Sequence, residues 1–331
     1  MNIAQDPRIS AELSTLMSMK MSASKLILPP SQKAGSKMSG RHQSKYRGRG
    51  INFEEFRHYQ IGDDVRSLDW KVTLRTGEPH IRVYSEEKDK PVILVVDQRT
   101  SMFFSSVDTM KSVVAAHISA CCAWSVIKSN DRIGALLFND FEAKWYKPQR
   151  NIAHVSRVLK TLTSMNQSLV TTASKPQSFK PMLSQSISKK SKINSPDKAV
   201  TEQPSLSLGL TKLMKLKLKG SLLIFISDFS GMKPDDVERI KWLKRHNDVL
   251  GIAINDPMEV NLMFSDPMLI SDGNHQLPVS QSMNTKLDDY NKWLGQEKSA
   301  RQTLFGSAGF PLIELDTSGH HINHFLNKVR G

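Results

Sequence analysis

Two aspartates in this sequence each follow a short run of apolar residues. Asp97 follows VILVV at 92–96, and Asp228 follows SLLIFIS at 221–227. Short apolar runs of this kind are typical of strands that are buried on both faces of a sheet. In an open sheet of parallel strands, the carboxyl ends share one edge, where ligands usually bind. We therefore expect both carboxylates at the same edge of one sheet.

The turn after the first run, VVDQRTSM, contains oxygen ligands and a cation. This turn resembles the metal-binding loop of von Willebrand factor A-like domains, and the resemblance implies that Asp97, Ser101 and Asp228 are the oxygen ligands of a divalent cation such as Mg²⁺. Arg99 cannot be a ligand, because its guanidinium stays protonated and has no lone pair to offer. We predict that this guanidinium takes the place of the metal and bridges Asp97 and Asp228 by charge-assisted hydrogen bonds, so that no cofactor is needed. The alternative is that Arg99 points to solvent and a weakened Mg²⁺ site survives.

A second stretch with chemically interesting side chains precedes the first strand. Residues 46–90 bring both signs of charge close to an aromatic ring, notably at Asp63, Asp64, Arg66, Asp69 and Trp70. Such a cluster forms either a salt-bridged cap on the sheet or a protein-binding surface. Acid–base catalysis by Asp63 and Asp64 is not expected, because no nucleophile or phosphate-binding loop accompanies them.

The elements that must position these residues alternate regularly from residue 91 onward. Apolar runs predict strands at 92–96, 133–138, 221–227, 249–254 and 311–315, with a hairpin partner at 141–146 and a short β region at 260–280. Helical periodicity predicts helices at 107–129, 151–163, 205–218, 233–246, 283–305 and 319–329. This alternation predicts an α/β protein with a doubly wound, mostly parallel sheet in a Rossmann-type arrangement of three layers.

The chain is expected to have three parts. We predict a basic flexible tail at residues 1–45 and a charge-dense N-terminal extension that packs on the core at residues 46–90. Residues 91–331 predict the α/β domain, with a low-complexity insertion at 166–200.

Composition and charge exclude several classes of protein. Most of the net charge of +14 lies in 1–53 and 166–200, so a dedicated surface for specific nucleic acids is not expected. Binding of nucleic acid or of an anionic membrane through the basic tail is the second functional hypothesis. No apolar run is long enough to predict a transmembrane helix. The neighbouring cysteines Cys121 and Cys122 fit a reducing compartment, which favours the cytoplasm.

The segment VVDQRTSM resembles the Asp-x-Ser-x-Ser loop of von Willebrand factor A-like (vWA-like) domains, which holds a divalent cation at the metal-ion-dependent adhesion site. Asp97 matches the first ligand of that site, and Ser101 matches the last. Asp228 matches its distal aspartate, whereas Arg99 stands where the first serine is found. The threonine of the family has two candidates here, Thr201 and Ser205. The resemblance implies a vWA-like fold.

Residues 46–90 also resemble the signature of a bacterial family called domain of unknown function 58. The matching residues are Arg47, Gly48, Gly50, Phe53, Glu54, Glu55, Arg57, Tyr59, Gly62, Asp63, Asp64, Arg66, Asp69, Trp70, Lys71 and Arg75. The resemblance extends over about residues 46–331 and implies a non-enzymatic adaptor for a MoxR-type AAA+ ATPase, in complex maturation or stress response. Other vWA proteins are further expected partners. The expected interaction residues are Asp63, Asp64, Arg66, Asp69, Trp70, Asp97, Arg99, Ser101 and Asp228.

Overall fold

A computed structural model describes most of the chain. The described residues are 6–23, 26, 52–85, 91–173, 206–259, 268–271, 276–279, 295, 299, 302–303, 305–306 and 309–330. The chain divides into two compact units. The smaller unit is Gln32–Lys90, and the larger unit joins Met1–Ser31 to Pro91–Gly331. Within the described residues, no helix is both long and apolar enough to cross a bilayer.

The described elements are numbered in chain order. The helices are α1 (Leu13–Ser18), α2 (Lys20–Ala23), α3 (Trp70–Thr76), α4 (Lys111–Lys128), α5 (Ile152–Ala173), α6 (Ser207–Lys215), α7 (Pro234–Lys244) and α8 (His321–Arg330). The strands are β1 (Asn52–His58), β2 (His80–Ser85), β3 (Val92–Asp97), β4 (Ile133–Phe138), β5 (Ala143–Gln149), β6 (Leu222–Ser227), β7 (Asp248–Asn255), β8 (Met268–Ser271), β9 (Gln276–Val279) and β10 (Leu312–Asp316).

A six-stranded sheet forms the centre of the larger unit. Its strand order is β10-β7-β6-β3-β4-β5, and every pair is parallel except the hairpin of β4 and β5. The prediction of an α/β protein with a mostly parallel sheet and this hairpin is confirmed. The direction of winding reverses between β3 and β6, and such a switch point opens a crevice at the carboxyl ends of the strands.

Helices cover the sheet on both faces. Val92, Leu94 and Val96 of β3 face one apolar cluster, to which α1, α2, α4, α5 and α8 also contribute. Ile93 and Val95 face the opposite cluster, to which α6 and α7 contribute. Because consecutive strand residues point to opposite faces, burial on both sides explains why the runs are continuously apolar.

The beginning of the chain packs into the larger unit. Leu16 of α1 is buried in the core, and its carbonyl oxygen accepts a hydrogen bond of 3.0 Å from the indole Nε1 of Trp124. The carbonyl oxygen of Leu26 accepts a bond of 2.9 Å from the Ser125 hydroxyl. The prediction of a flexible tail over residues 1–45 is therefore wrong for residues 6–23 and 26. The basic residues of this stretch obscured a short amphipathic helix with few apolar positions.

Helix α5 is longer than the sequence predicted. We expected a helix at 151–163 and a surface insertion from residue 166, but the helix continues to Ala173. Asn166 is fully buried within it, and its side chain bonds to Gln98 at 3.0 Å. A helix of mostly polar residues can continue where one of its faces packs against the rest of the protein, as the buried face of α5 does. The rest of the expected insertion, and most of the expected helix at 283–305, lie outside the described residues.

The smaller unit is built on the antiparallel pair of β1 and β2, with α3 between them in sequence. Asp69 begins α3, because its carboxylate accepts hydrogen bonds from the backbone N–H groups of Lys71 and Val72. Gly77 ends the helix with a left-handed backbone, φ +80°. That this segment packs on the sheet stays a prediction.

Candidate functional site at the strand ends

The two strand-end aspartates lie at adjacent strands of the sheet. Asp97 is the last residue of β3, and Asp228 directly follows β6. The two strands are hydrogen-bonded in parallel, with Val96 opposite Ile226. Both carboxylates are buried, Asp97 completely and Asp228 with 1% exposure. Buried carboxylates need partners that replace water, so their surroundings decide what this edge can do.

The guanidinium of Arg99 lies between these two carboxylates. Its Nε lies 3.0 Å from each oxygen of Asp97, and its Nη2 lies 2.7 Å from Oδ2 of the same group. The same Nη2 lies 3.4 Å from Oδ1 of Asp228. The remaining nitrogen, Nη1, donates to the carbonyl oxygen of Ser230 at 3.2 Å. Arg99 is only 1% exposed, so this cation belongs to the interior and does not point to solvent.

The turn itself holds Arg99 in place. The backbone N–H of Arg99 donates to Oδ1 of Asp97 at 2.9 Å, a local bond that aspartate commonly forms two residues ahead of itself. Residues Thr100–Met102 continue as one turn of 3-10 helix. The side chain therefore folds back on the aspartate from which its own turn begins.

A second buried cation completes the site, and the sequence analysis did not identify it. Lys111, the first residue of α4, donates from Nζ to Oδ2 of Asp228 at 3.0 Å and to Oε1 of Glu259 at 2.5 Å. Its side chain is 1% exposed. The sequence did contain a signal for Lys111. A lysine in the first turn of an apolar helix is unfavourable beside the positive end of the helix dipole, so a nearby acidic partner is expected.

Ser227 joins the two strand ends directly. Its hydroxyl donates to Oδ2 of Asp97 at 2.6 Å and accepts from the backbone N–H of Phe229 at 2.9 Å. Phe229 is buried and has a positive φ of 55°, which is unfavourable for a bulky residue. Backbone strain of this kind costs on the order of 1–3 kcal/mol and persists only where neighbouring contacts enforce it.

The electrostatics of the pair follow from burial and from the two cations. Burial alone would raise the pKa of Asp228, but the nearby charges of Lys111 and Arg99 outweigh it and lower that pKa. For Asp97, burial is the larger effect and raises the pKa, while Arg99 opposes the rise. Burial lowers the pKa of Arg99, but the negative charges of Asp97 and Asp228 outweigh this effect and hold that pKa above its ordinary value. The guanidinium therefore stays charged and serves as the counter-ion of both carboxylates.

A divalent cation does not fit this arrangement of residues. Each of the four carboxylate oxygens of Asp97 and Asp228 already accepts at least one hydrogen bond. Of the three predicted ligands, only Ser101 has a buried oxygen without a hydrogen-bond partner among the described residues, and a single hydroxyl does not supply the several oxygen ligands that Mg²⁺ needs. Thr201 and Ser205 lie outside the described residues.

The outward side of this edge is formed by neighbouring turns. Thr100 is exposed, and its N–H and hydroxyl donate to Oδ2 of Asp140 at 2.8 Å and 2.5 Å. Phe141, in the turn between β4 and β5, is 86% exposed. Ser230 is exposed beside Asp228. We call the exposed and half-buried residues Thr100, Ser101, Asp140, Phe141 and Ser230 the strand-end face, and the buried cluster of Asp97, Arg99 and Asp228 lies beneath it.

The predicted interaction residues of the smaller unit form contacts of their own. Asp63 pairs with Arg57 at 2.7 Å, and Asp69 pairs with Arg82 at 2.5 Å. Asp64 accepts from the backbone N–H of Arg66 at 3.0 Å. All three aspartates therefore organise local structure, whereas Arg66 and Trp70 are exposed.

Comparison with known proteins gives a family and distant relatives. The chain is 24% identical to uncharacterized proteins of Mycobacterium bovis and Mycobacterium tuberculosis, over 94% of this chain and 86% of theirs. Among solved structures, an uncharacterized membrane-spanning protein from Vibrio fischeri matches 72% of this chain and 98% of its own, with 13% identity and a TM-score of 0.20. The model of the family described as protein of unknown function DUF58 matches residues 55–292. These residues include the paired charges of the smaller unit and the cluster around Arg99, and on this match the chain belongs to the DUF58 family.

Proposed function

We propose that this chain is a non-enzymatic protein–protein interaction module that docks a partner on its strand-end face. The observation that carries the proposal is the position of Arg99 between Asp97 and Asp228. Because the guanidinium of Arg99 holds the two aspartates together, the strand-end face keeps its conformation without a metal. A partner can therefore bind this face without a bridging metal. The edge lies where open α/β sheets usually bind their ligands.

We further propose that the larger unit is a vWA-like domain. The strand order, with one antiparallel strand at the edge beside β4, supports this assignment. The positions of Asp97 and Asp228 on either side of the winding reversal support it as well. Fold alone does not give a function, so the proposal depends on the site rather than on the sheet.

The absence of exposed reactive groups in the cluster supports a binding role over catalysis. A general base needs a carboxylate that can accept a substrate proton. The carboxylates of Asp97 and Asp228 instead accept hydrogen bonds from Arg99, Lys111 and backbone groups. Structural ion pairs of this kind fix a conformation, which is what a docking surface needs.

The partner that we propose is a MoxR-type AAA+ ATPase in the cytoplasm, acting in complex maturation or stress response. This choice comes from the family resemblance and not from the geometry. Other vWA proteins are the second class of partner. The exposed side chains Thr100, Phe141 and Ser230 offer a mixed polar and aromatic contact, as protein interfaces often do.

Calorimetric titration of the full chain with the MoxR-type ATPase tests the proposal. The ATPase is supplied without nucleotide, with ADP and with a non-hydrolysable ATP analogue. Ser230→Arg places a long cation on the strand-end face and is expected to weaken binding at least tenfold, about 1.4 kcal/mol. The matched control is Ser129→Arg, because Ser129 is exposed at the opposite end of α4. Absence of binding in every nucleotide state contradicts the proposal, and so does an equal loss in both variants.

A further inference from the structure

Large apolar side chains are exposed on the smaller unit. Trp70 is 64% exposed and Leu74 is 84% exposed, one helical turn apart on α3. Ile61 is fully exposed in the preceding turn, and Val65 is 57% exposed. Single exposed apolar residues are normal on a soluble protein, whereas groups of them often mark interaction sites, and these four lie within fourteen residues of sequence in one compact unit.

Among the described side chains of residues 57–82, Asp64 is the one acidic group without an ion pair, whereas three Lys or Arg groups have none. Asp63 and Asp69 pair with arginines of the same unit, and Glu78 contacts His58 at 3.0 Å. No ion pair within the described residues engages Arg66, Lys71 and Arg75. All three are exposed, and so is Asp64, so the net charge presented to solvent beside Trp70 is positive.

Helix α3 arranges these residues in two neighbouring stripes. Trp70 and Leu74 are four positions apart, and so are Lys71 and Arg75. Residues at this spacing lie on the same side of a helix, which places an apolar stripe next to a basic one. Arg66, Trp70 and Lys71 also line a shallow depression of about 460 Å³.

We propose that this surface docks the chain on an anionic lipid bilayer. We call it the basic–apolar patch, and it comprises Ile61, Val65, Arg66, Trp70, Lys71, Leu74 and Arg75. Aliphatic side chains and an indole insert at the boundary between headgroups and acyl chains, while lysine and arginine extend to the phosphates. A single-stranded nucleic acid fits less well, because it needs aromatic platforms, and aliphatic side chains provide none.

The preceding sequence supplies further charge of the same sign. Residues 27–51 contain six Lys or Arg and no Asp or Glu. Polybasic segments are attracted to anionic leaflets, with a gain of roughly fivefold in binding for each Lys or Arg near the surface. The attraction is long-range, whereas the apolar residues of the patch fix where the chain makes contact.

Co-sedimentation of the full chain with vesicles tests this proposal. One set contains phosphatidylcholine with phosphatidylglycerol, and the other contains phosphatidylcholine alone. Binding to the anionic vesicles only is expected. The double variant Trp70→Ser/Leu74→Ser is expected to lose binding at least tenfold, and Lys71→Gln/Arg75→Gln is expected to do the same. The matched controls Phe141→Ser and Lys212→Gln/Lys215→Gln change exposed residues of the larger unit and should bind as the parent chain does.

A spectroscopic measurement places the contact at the patch itself. Brominated lipids quench tryptophan fluorescence on contact, and the chain has five tryptophans. Quenching is expected in the parent chain and should disappear in Trp70→Phe. Because the patch residues are exposed, their variants should keep the melting temperature of the parent, which separates lost docking from lost folding.

Several outcomes overturn the proposal. These are equal binding to both sets of vesicles, no binding to either, or losses that are as large in the controls. If only Lys33→Gln/Lys37→Gln/Lys45→Gln removes binding, the preceding basic segment binds the membrane and the patch does not. If Trp70→Ser/Leu74→Ser instead removes only binding of the ATPase, the patch is a protein interface. Ser230→Arg should leave vesicle binding unchanged, so this test stands apart from that of the proposed function.

Discussion

The ammonium group of Lys111 lies 3.0 Å from Asp228 and 2.5 Å from Glu259. It therefore ties the first turn of α4 to the ends of two neighbouring strands, β6 and β7. Arg99 also contacts Asp228, so each buried cation of the cluster lies against two carboxylates. Removal of either cation leaves buried negative charge without compensation, which is costly in a low-dielectric interior.

Replacement of Lys111 should destabilise the fold strongly. We expect Lys111→Met to lower the free energy of unfolding by about 3–5 kcal/mol, because Asp228 is left without its ammonium partner. Asp228→Asn should relieve much of this loss, so the double variant should be less damaged than the sum of the single variants. Urea unfolding of all four proteins gives the coupling energy. Lys128→Met, at the exposed end of the same helix, is the matched control. Additive losses would show that the two residues do not interact.

Acidification should destabilise the protein through two contacting histidines, of which His321 is buried and His117 half-buried. His117 Nδ1 and His321 Nε2 lie 3.0 Å apart, and burial lowers the pKa of His117 to about 3 and that of His321 to about 4. In the unfolded chain both titrate near 6.5, so below that pH the unfolded state takes up protons that the folded state does not. We expect the free energy of unfolding to fall by about 2 kcal/mol per histidine between pH 7.5 and pH 5.

Unfolding titrations of His117→Gln measure the contribution of that histidine. Its loss of stability between the two pH values should be smaller than that of the parent by about 2 kcal/mol. His246→Gln, an exposed position, should keep the full dependence. The same pH dependence in the parent and in His117→Gln would refute a histidine pair that stays neutral in the folded protein.

The N-terminal helix should contribute to the stability of the larger unit. Leu16 is completely buried, so Leu16→Ala should cost about 2–5 kcal/mol through lost burial and the cavity that remains. Met21→Ala changes a residue that is 82% exposed and should stay within about 0.5 kcal/mol of the parent. Denaturant midpoints provide the comparison. Equal denaturant midpoints for the two variants would contradict the burial of Leu16 and support the flexible tail that the sequence predicted.

Asn166 should connect the N-terminal segment to the turn that carries Arg99. Its Oδ1 accepts from the backbone N–H of Ala11 at 2.8 Å, and its Nδ2 donates to Gln98 at 3.0 Å. Asn166→Ala leaves both groups unpaired and should cost about 1–3 kcal/mol for each. Hydrogen exchange at the Ala11 amide should accelerate with it. The neighbouring Gln167→Ala, at an exposed position, should leave that amide as slow as in the parent. An unchanged rate in Asn166→Ala would exclude the connection.

The sequence predicted the sheet well, because its strands are buried on both faces and so are continuously apolar. No information from distant residues was needed to identify three strands, VILVV, IGALLF and SLLIFIS. The strand-end aspartates were predictable for the same reason, since the end of each apolar run marks the edge of the sheet.

The parts that were missed depend on contacts distant in sequence. Lys111, the first residue of α4, contacts both Asp228 and Glu259, and no local pattern relates these three positions. Asn166 extends α5 beyond its apolar periodicity because Gln98 and Ala11 satisfy its amide. Leu16 appeared to belong to a basic tail, because its burial beside Trp124 depends on a residue more than a hundred positions away.

Magnesium titration of the melting temperature, together with elemental analysis, tests the role of Arg99 most directly. The parent chain should contain no stoichiometric metal, and its melting temperature should not respond to Mg²⁺. Arg99→Ser gives the turn the Asp-x-Ser-x-Ser pattern and should melt lower without metal, with a rise in melting temperature as Mg²⁺ is added. One tightly bound Mg²⁺ per parent chain would contradict the account, because the guanidinium and the metal cannot occupy the same space between Asp97 and Asp228.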